Sequence, residues 1–371
     1  MAKGAYIGVN GVAKKVKESY IGVDNVAKKI DKIYVGVEGI ARLYFDSNSS
    51  SGGTLTYYGT AKAMSKKIEL AATTVGNYAL FGGGSYGSTY YTSVNAYDTS
   101  LTKTTPKSLS KARSLLSAAT VGSYALFGGG NDKTSVYAEV EAYDTSLTRT
   151  IPTALSDKRA GLSSTSIGNY ALFGGGSTTK TTVDAYNMSL TRSKPTALSI
   201  GRHMMGATSV GNYALFGGGY SSSTYRTTVD AYNTSLTRSI PTVLSKGRAA
   251  PAATAVGEYA LFAGGYDKSA KSDVVDVYNT SLTRTTTTLS VARKSLDATT
   301  IGNYALFAGG YTTKAIDTVD AYDISLTRST PTALSNPRYS TSAVTVGNYA
   351  LFACGSATSG VSTVVDVYTV I

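Results

Sequence analysis

Ionisable side chains recur in this sequence at a fixed place. Lys67, Arg113, Arg159, Arg202, Arg248, Arg293 and Arg338 each lie eight residues ahead of a Val or Ile that opens a segment of the type VGNYALFGGG. Guanidinium groups carry a lasting charge and a fork of donors suited to carboxylates, phosphates and sulfates, so seven such positions gathered round one axis would hold an anion. An architectural reading stands beside this one, in which each Arg donates to backbone carbonyls of the adjacent repeat. A second set, Glu141, Asp184, Asp230, Asp276, Asp320 and Asp366, with Asn95 in the first copy, recurs further along each unit. A general acid and a general base need unlike surroundings, and six identical placements do not supply them. These carboxylates are therefore assigned to structural hydrogen bonds.

Tyrosine supplies the third set. The segments after the glycine triplets differ most between copies and carry Tyr86, Tyr90, Tyr91, Tyr137, Tyr220, Tyr225, Tyr266 and Tyr311. Tyr joins an apolar face to a hydroxyl, which suits sugars and peptides, and variable loops on a rigid frame are where recognition concentrates. Other chemistry is excluded. One His (His203) and one Cys (Cys354) cannot make an internal disulfide, a Cys/His zinc site or a multi-histidine metal centre. The GGG runs lack a following helix and a Lys-Ser/Thr signature, so they are turns and not phosphate loops. No catalytic residue, cofactor or metal is expected. The balance of 35 Lys+Arg against 23 Asp+Glu, a formal +12, favours an anionic partner.

The elements that position these residues follow from the repeat. The glycine segment occurs seven times, its first glycine at 76, 122, 168, 211, 257, 302 and 347, a period of 43 to 46 residues. Such a period denotes a propeller or a solenoid. Each unit reads as four strands: in the second copy Ala118 to Val121, a Gly122-Ser123 turn, Tyr124 to Phe127, then Val140 to Tyr143, a turn, and the threonine-rich stretch from Leu147 to Leu155. The last unit ends on its third strand at Val365 to Tyr368, whereas Leu55 to Ser65 precedes the first unit and matches later fourth strands. A ring closed by pairing these two pieces removes two exposed edges. The predicted fold is all-β, a seven-bladed propeller over residues 55–371. Residues 1–45 hold three 14-residue units, each strand, turn, strand, with Asn10-Gly11, Asp24-Asn25 and Glu38-Gly39 at the turns. Such hairpins bury little on their own and call for a partner. Residues 46–54, DSNSSSGGT, read as a flexible linker. The N-terminus has no apolar core of a signal peptide, and no stretch is long enough to span a membrane.

With an Arg before a small-residue strand, Gly-Gly after an apolar second strand and Tyr-Asp in the third, residues 55–371 resemble kelch repeats, although the fourth-strand Trp usual there is replaced by Thr104, Thr150, Ser193 and Ser239. The resemblance implies that the basic ring and the variable loops share one face. Tandem YIGV units ahead of such a ring are also similar to proteins of phages and prophages of Gram-positive gut bacteria. That implies a non-enzymatic virion or tail-associated protein, made in the host cytoplasm and homo-oligomeric in the particle. Residues 1–45 would contact other virion proteins, and the ring would serve receptor binding and adhesion to a bacterial surface polymer or glycan. The alternatives are an intracellular scaffold that captures an acidic peptide on the basic ring, and a polysaccharide hydrolase or lyase.

Overall fold

The computed structural model describes residues 53–371 apart from residue 178, and, before them, the backbone of six strands between Tyr6 and Asp46. All regular elements among the described residues are strands. The chain forms two units, Met1–Thr54 and Leu55–Ile371. In the first, Tyr6–Val9 pairs with Val12–Lys15, Tyr20–Val23 with Val26–Lys29, and Lys32–Val37 with Ile40–Asp46, as three separate two-stranded sheets. The registers Val9 to Val12, Val23 to Val26 and Val37 to Ile40 leave two residues at each turn. The predicted turn pairs and most of the predicted linker lie outside the described residues.

The second unit consists of seven four-stranded antiparallel sheets arranged as the blades of a propeller. Blade 2 is typical: Ser117–Val121, Tyr124–Gly128, Val140–Asp144 and Arg149–Thr150 pair in chain order. Blade 7 takes its first three strands, Ser342–Val346, Tyr349–Ala353 and Val365–Val370, from the end of the chain and its fourth, Leu55–Ala61, from the start of the unit. Tyr57 fixes this join, its hydroxyl donating to Asp366 at 2.7 Å and its ring meeting Tyr368 at 5.3 Å.

The predicted fourth strand from Leu147 to Leu155 is mostly irregular. Only Arg149–Thr150 pairs, because Pro152 has no N–H to give the ladder. Pro106, Pro195, Pro241 and Pro331 stop the strand equally early in blades 1, 3, 4 and 6. Blade 5 has Thr287 there and keeps five residues, Arg284–Thr288, and the proline-free closing strand of blade 7 keeps seven.

The core lies between blades. Ala71, Val75, Leu80, Val94 and Ala96 of blade 1 pack on Ala125, Phe127 and Tyr143 of blade 2, and Phe81 and Tyr97 of blade 1 close the ring against Val344, Leu351, Val365 and Val367 of blade 7. In every blade the second-strand Phe meets the third-strand Tyr edge to face, as Phe127 does Tyr143 at 5.9 Å. This uses seven of the eight Phe. Gly82 lets blades approach: a Cβ there would stand 2.8 Å from the Phe127 ring.

Candidate functional site

The seven basic residues do not form an open ring. Lys67, Arg113, Arg159, Arg202, Arg248, Arg293 and Arg338 are all 0% exposed, so the expectation of a cationic ligand surface is corrected. The cause is the second repeated set. Within blades 2 to 7 each Arg pairs with its own blade's carboxylate: Arg113 with Glu141, Arg159 with Asp184, Arg202 with Asp230 at 2.8 Å, Arg248 with Asp276 at 2.7 Å, Arg293 with Asp320 at 2.8 Å, and Arg338 with Asp366. The guanidinium also donates to the second-strand Phe carbonyl, as Arg248 does to Phe262 at 2.8 Å. The carboxylate in turn accepts the amide of the Ser three residues before the Arg, as Asp276 does from Ser245 at 2.8 Å. Burial pushes the Glu141 carboxyl up, but Arg113 and Ser110 outweigh it and hold the group below the ordinary carboxylate range. These triads fasten the segment entering each blade to the blade's middle.

Blade 1 departs from this. Lys67 stands for Arg and Asn95 for the acid, and the ammonium donates to Ser93 at 3.2 Å. Burial pulls the Lys67 ammonium down to about 8. Beside it Cys354 occupies, at φ +57°, the place that glycines hold at φ +65° to +70° elsewhere. Burial pushes its thiol up to about 11, against the opposing charge of Lys67.

In six of the seven blades a backbone bridge joins the segment entering the blade to the loop leaving its second strand: Ile68 to Ser85, Ser114 to Asn131, His203 to Tyr220, Ala249 to Tyr266, Lys294 to Tyr311 and Tyr339 to Ser356. In blade 3 the Ser177 amide donates to the Ala160 carbonyl at 2.7 Å. The variable loops and the entry segments therefore share one face. Three loops fold as small hairpins that the sequence did not announce, Ser85–Tyr86 with Thr89–Tyr90, Tyr220–Ser221 with Thr224–Tyr225, and Ser356–Ala357 with Gly360–Val361.

On that face the structure brings together four of the eight candidate tyrosines. Tyr220 meets Tyr225 at 5.0 Å, and Tyr225 meets Tyr266 at 5.7 Å. Lys294 lies over Tyr266 at 4.9 Å and over Tyr311 at 5.7 Å, with Lys271 also over Tyr311 at 5.8 Å. His203 extends the track behind Tyr220 at 5.7 Å, and Tyr339 extends it beyond Tyr311 at 5.1 Å. Half-buried rings and cations thus run unbroken from blade 4 to blade 7. Between Tyr225, Tyr266, Lys271 and Lys294 they enclose a hollow of about 300 Å³ that Lys268 and Asp267 also line, the Asp267 carboxylate being paired with Lys246 at 2.7 Å. Burial, with Tyr225 and Tyr220 beside it, raises the Tyr266 phenol above its ordinary 10.0, and burial lowers the His203 imidazole below 6.5.

The other four candidates lie apart from this track. Tyr86 is exposed with Lys66 at 5.9 Å from its ring, Tyr90 and Tyr91 are half-buried in the same loop, and Tyr137 donates to Asp132 at 2.5 Å within its own loop. Sequence reasoning missed Lys271, Lys294, Tyr339 and the part played by His203. Lys294 and Tyr339 each immediately follow a repeat arginine, and that adjacency was the available signal.

The first strands line a central channel of about 470 Å³ with Thr, Ser and Ala from all seven blades. Thr74 donates to the Thr345 carbonyl at 2.7 Å, linking the first strands of blades 1 and 7. No family model matches the sequence, and no curated protein matches it. Among solved structures the chain is similar to the one described as "Structure of YjhT", with a TM-score of 0.58 and 14% identity over 73% of this chain and 99% of that one. At that identity the likeness is one of fold, and the fold is the β-propeller.

Proposed function

We propose that this chain is a non-enzymatic binding protein that grips an anionic bacterial surface polymer or glycan along the Tyr220–Tyr225–Tyr266–Lys294–Tyr311 track, and that it serves in adhesion on a phage or prophage particle. The observation that carries the binding reading is the track itself. Aromatic faces for sugar rings alternate with ammonium groups for their acidic substituents, on loops held by a rigid ring. A propeller is suited to a binding or adhesion role. The virion setting rests on the kelch-like ring preceded by tandem YIGV units, whose separate hairpins suit residues 1–45 to docking against other virion or tail proteins.

Capture of an acidic peptide by the repeat arginines has no surface to use, since those side chains are buried in ion pairs. The test is a glycan and teichoic-acid array probed with the full chain. Acidic polymers are expected to bind, and Tyr225→Ala with Tyr266→Ala to weaken binding about tenfold or more. A blank array, or hits indifferent to both substitutions, would overturn the assignment. Labelling of intact virions with an antibody to the chain tests the setting.

A further inference from the structure

A second concavity lies where the channel opens on the loop-bearing face, apart from the aromatic track. It holds about 360 Å³ and is walled by Leu70, Leu116, Leu162, Met205, Pro251 and Leu296, and the ionisable side chains that line it are Asp297 and Glu69. Asp297 opens the first strand of blade 6. Its counterparts in the other blades are Ala71, Ser117, Ser163, Gly206, Ala252 and Ser342, so the charge enters an otherwise neutral circle at one point.

The third-strand carboxylates of blades 2 to 7 each have an arginine, but Asp297 has no ion pair among the described residues. Its two oxygens accept one amide each, from Ala298 and Ala343, both at 2.8 Å, which leaves lone pairs over. Glu69 accepts from Ser114 at 3.0 Å and is exposed at the rim. A carboxylate set among leucines without a counter-ion is expensive to keep charged, and burial pushes Asp297 up to about 7. A concave apolar wall with one convergent charged group is the general form of a small-ligand site.

We propose that the cavity binds a primary ammonium group on a short alkyl chain, with Asp297 as its counter-ion, Glu69 as a second carboxylate at the rim and the leucine wall against the methylenes. The choice of an organic cation follows from the donors. Among the described residues no three His, Cys, Asp or Glu side chains converge as a metal ion requires. An ammonium, by contrast, needs one strong acceptor and tolerates apolar neighbours along its chain. The site stands independently of the polymer reading, since it uses none of the track residues.

The experiment compares 6-aminohexanol with hexane-1,6-diol, its neutral counterpart, by saturation-transfer NMR titration on the full chain. At pH 8 the amine is expected to bind at least about tenfold more tightly than the diol. Asp297→Ser, which installs the residue that blades 2, 3 and 7 carry, should erase the difference while thermal unfolding stays cooperative, and Asp297→Asn should do the same. Glu69 also faces the cavity, and Lys294 lies three residues before Asp297 with its ammonium over Tyr266. With its carboxyl pushed up to about 7, Asp297 loses charge as pH falls from 8 to 6, so amine affinity should fall over that interval. The proposal is overturned if amine and diol bind alike, if Asp297→Ser still prefers the amine, or if the preference is flat with pH. Lys294→Ala should keep amine binding whether or not it loses the polymer, so the two assignments fail separately.

Discussion

The buried triads set the energetics at the level of single residues. Glu141 has Arg113 as its ion-pair partner, so Arg113→Met would leave a dry carboxylate unopposed and should cost about 3 to 5 kcal/mol in urea unfolding. Arg113→Met with Glu141→Leu should recover much of that loss, and a double variant no more stable than the single would contradict this account. Lys67 gives a test with a sign. Folding lowers its pKa from 10.5 to about 8, so above pH 8 the unfolded chain binds more protons than the native one and stability rises with pH. Cys354, raised from 9.0 to about 11, acts oppositely above pH 9, which leaves pH 8 to 9 as the window. Over that interval the wild-type denaturation midpoint should climb, and in Lys67→Met it should climb less. The partnership of arginine and acid was legible in the sequence, because the one copy with Lys instead of Arg is also the one with Asn instead of an acid. Each set was read alone, the first as an anion ring or as donors to backbone carbonyls and the second as structural hydrogen bonds, and only the ion pairs, such as Arg113 with Glu141, show them meeting.

Strands and loops obeyed local rules where the local signal was strong. The YALFG strands and their glycine stops were readable from alternation and turn chemistry, and the exchange of a closing strand followed from the unmatched ends. Proline was the signal underweighted: it trims the fourth strand in five blades and spares it in the fifth. Thr287→Pro should therefore shorten blade 5's outer strand at a cost of only about 1 kcal/mol, since its counterparts already carry the residue. A loss near 3 kcal/mol would mean that this strand bears load the others do not. Glycine is less forgiving. Gly83 sits at φ +70° with the Arg113 carbonyl 2.6 Å from a Cβ that alanine would add, so Gly83→Ala should cost more than about 1 kcal/mol. The aromatic track was not legible, because adjacency between Tyr225, Tyr266 and Lys294 belongs to three different blades.

For the molecule as a whole, the paired arginines change where the positive surplus lies. Six of them are cancelled in the interior, so the formal +12 resides on other side chains, Lys268, Lys271 and Lys294 of the track among them. Binding of an acidic polymer should weaken steeply as salt rises from 50 to 300 mM, and lose part of that slope in Lys271→Ala with Lys294→Ala. Tyr86→Ala and Tyr137→Ala, on blades 1 and 2, should leave affinity unchanged, and a loss there would move the site to the other side of the ring. Removal of residues 1–54 should leave thermal unfolding of the ring cooperative, whereas removal of residues 1–61 should abolish it.

The join in blade 7 also dictates the order of events on the ribosome. Leu55–Ala61 leaves the exit tunnel early, yet its partner Val365–Val370 is translated some three hundred residues later. Throughout that interval the nascent chain displays an unpaired edge that invites wrong pairing or a chaperone. Closure is thus a checkpoint on completeness: a product cut short between blade 6 and Val365 has its first six blades but no means of shutting the circle.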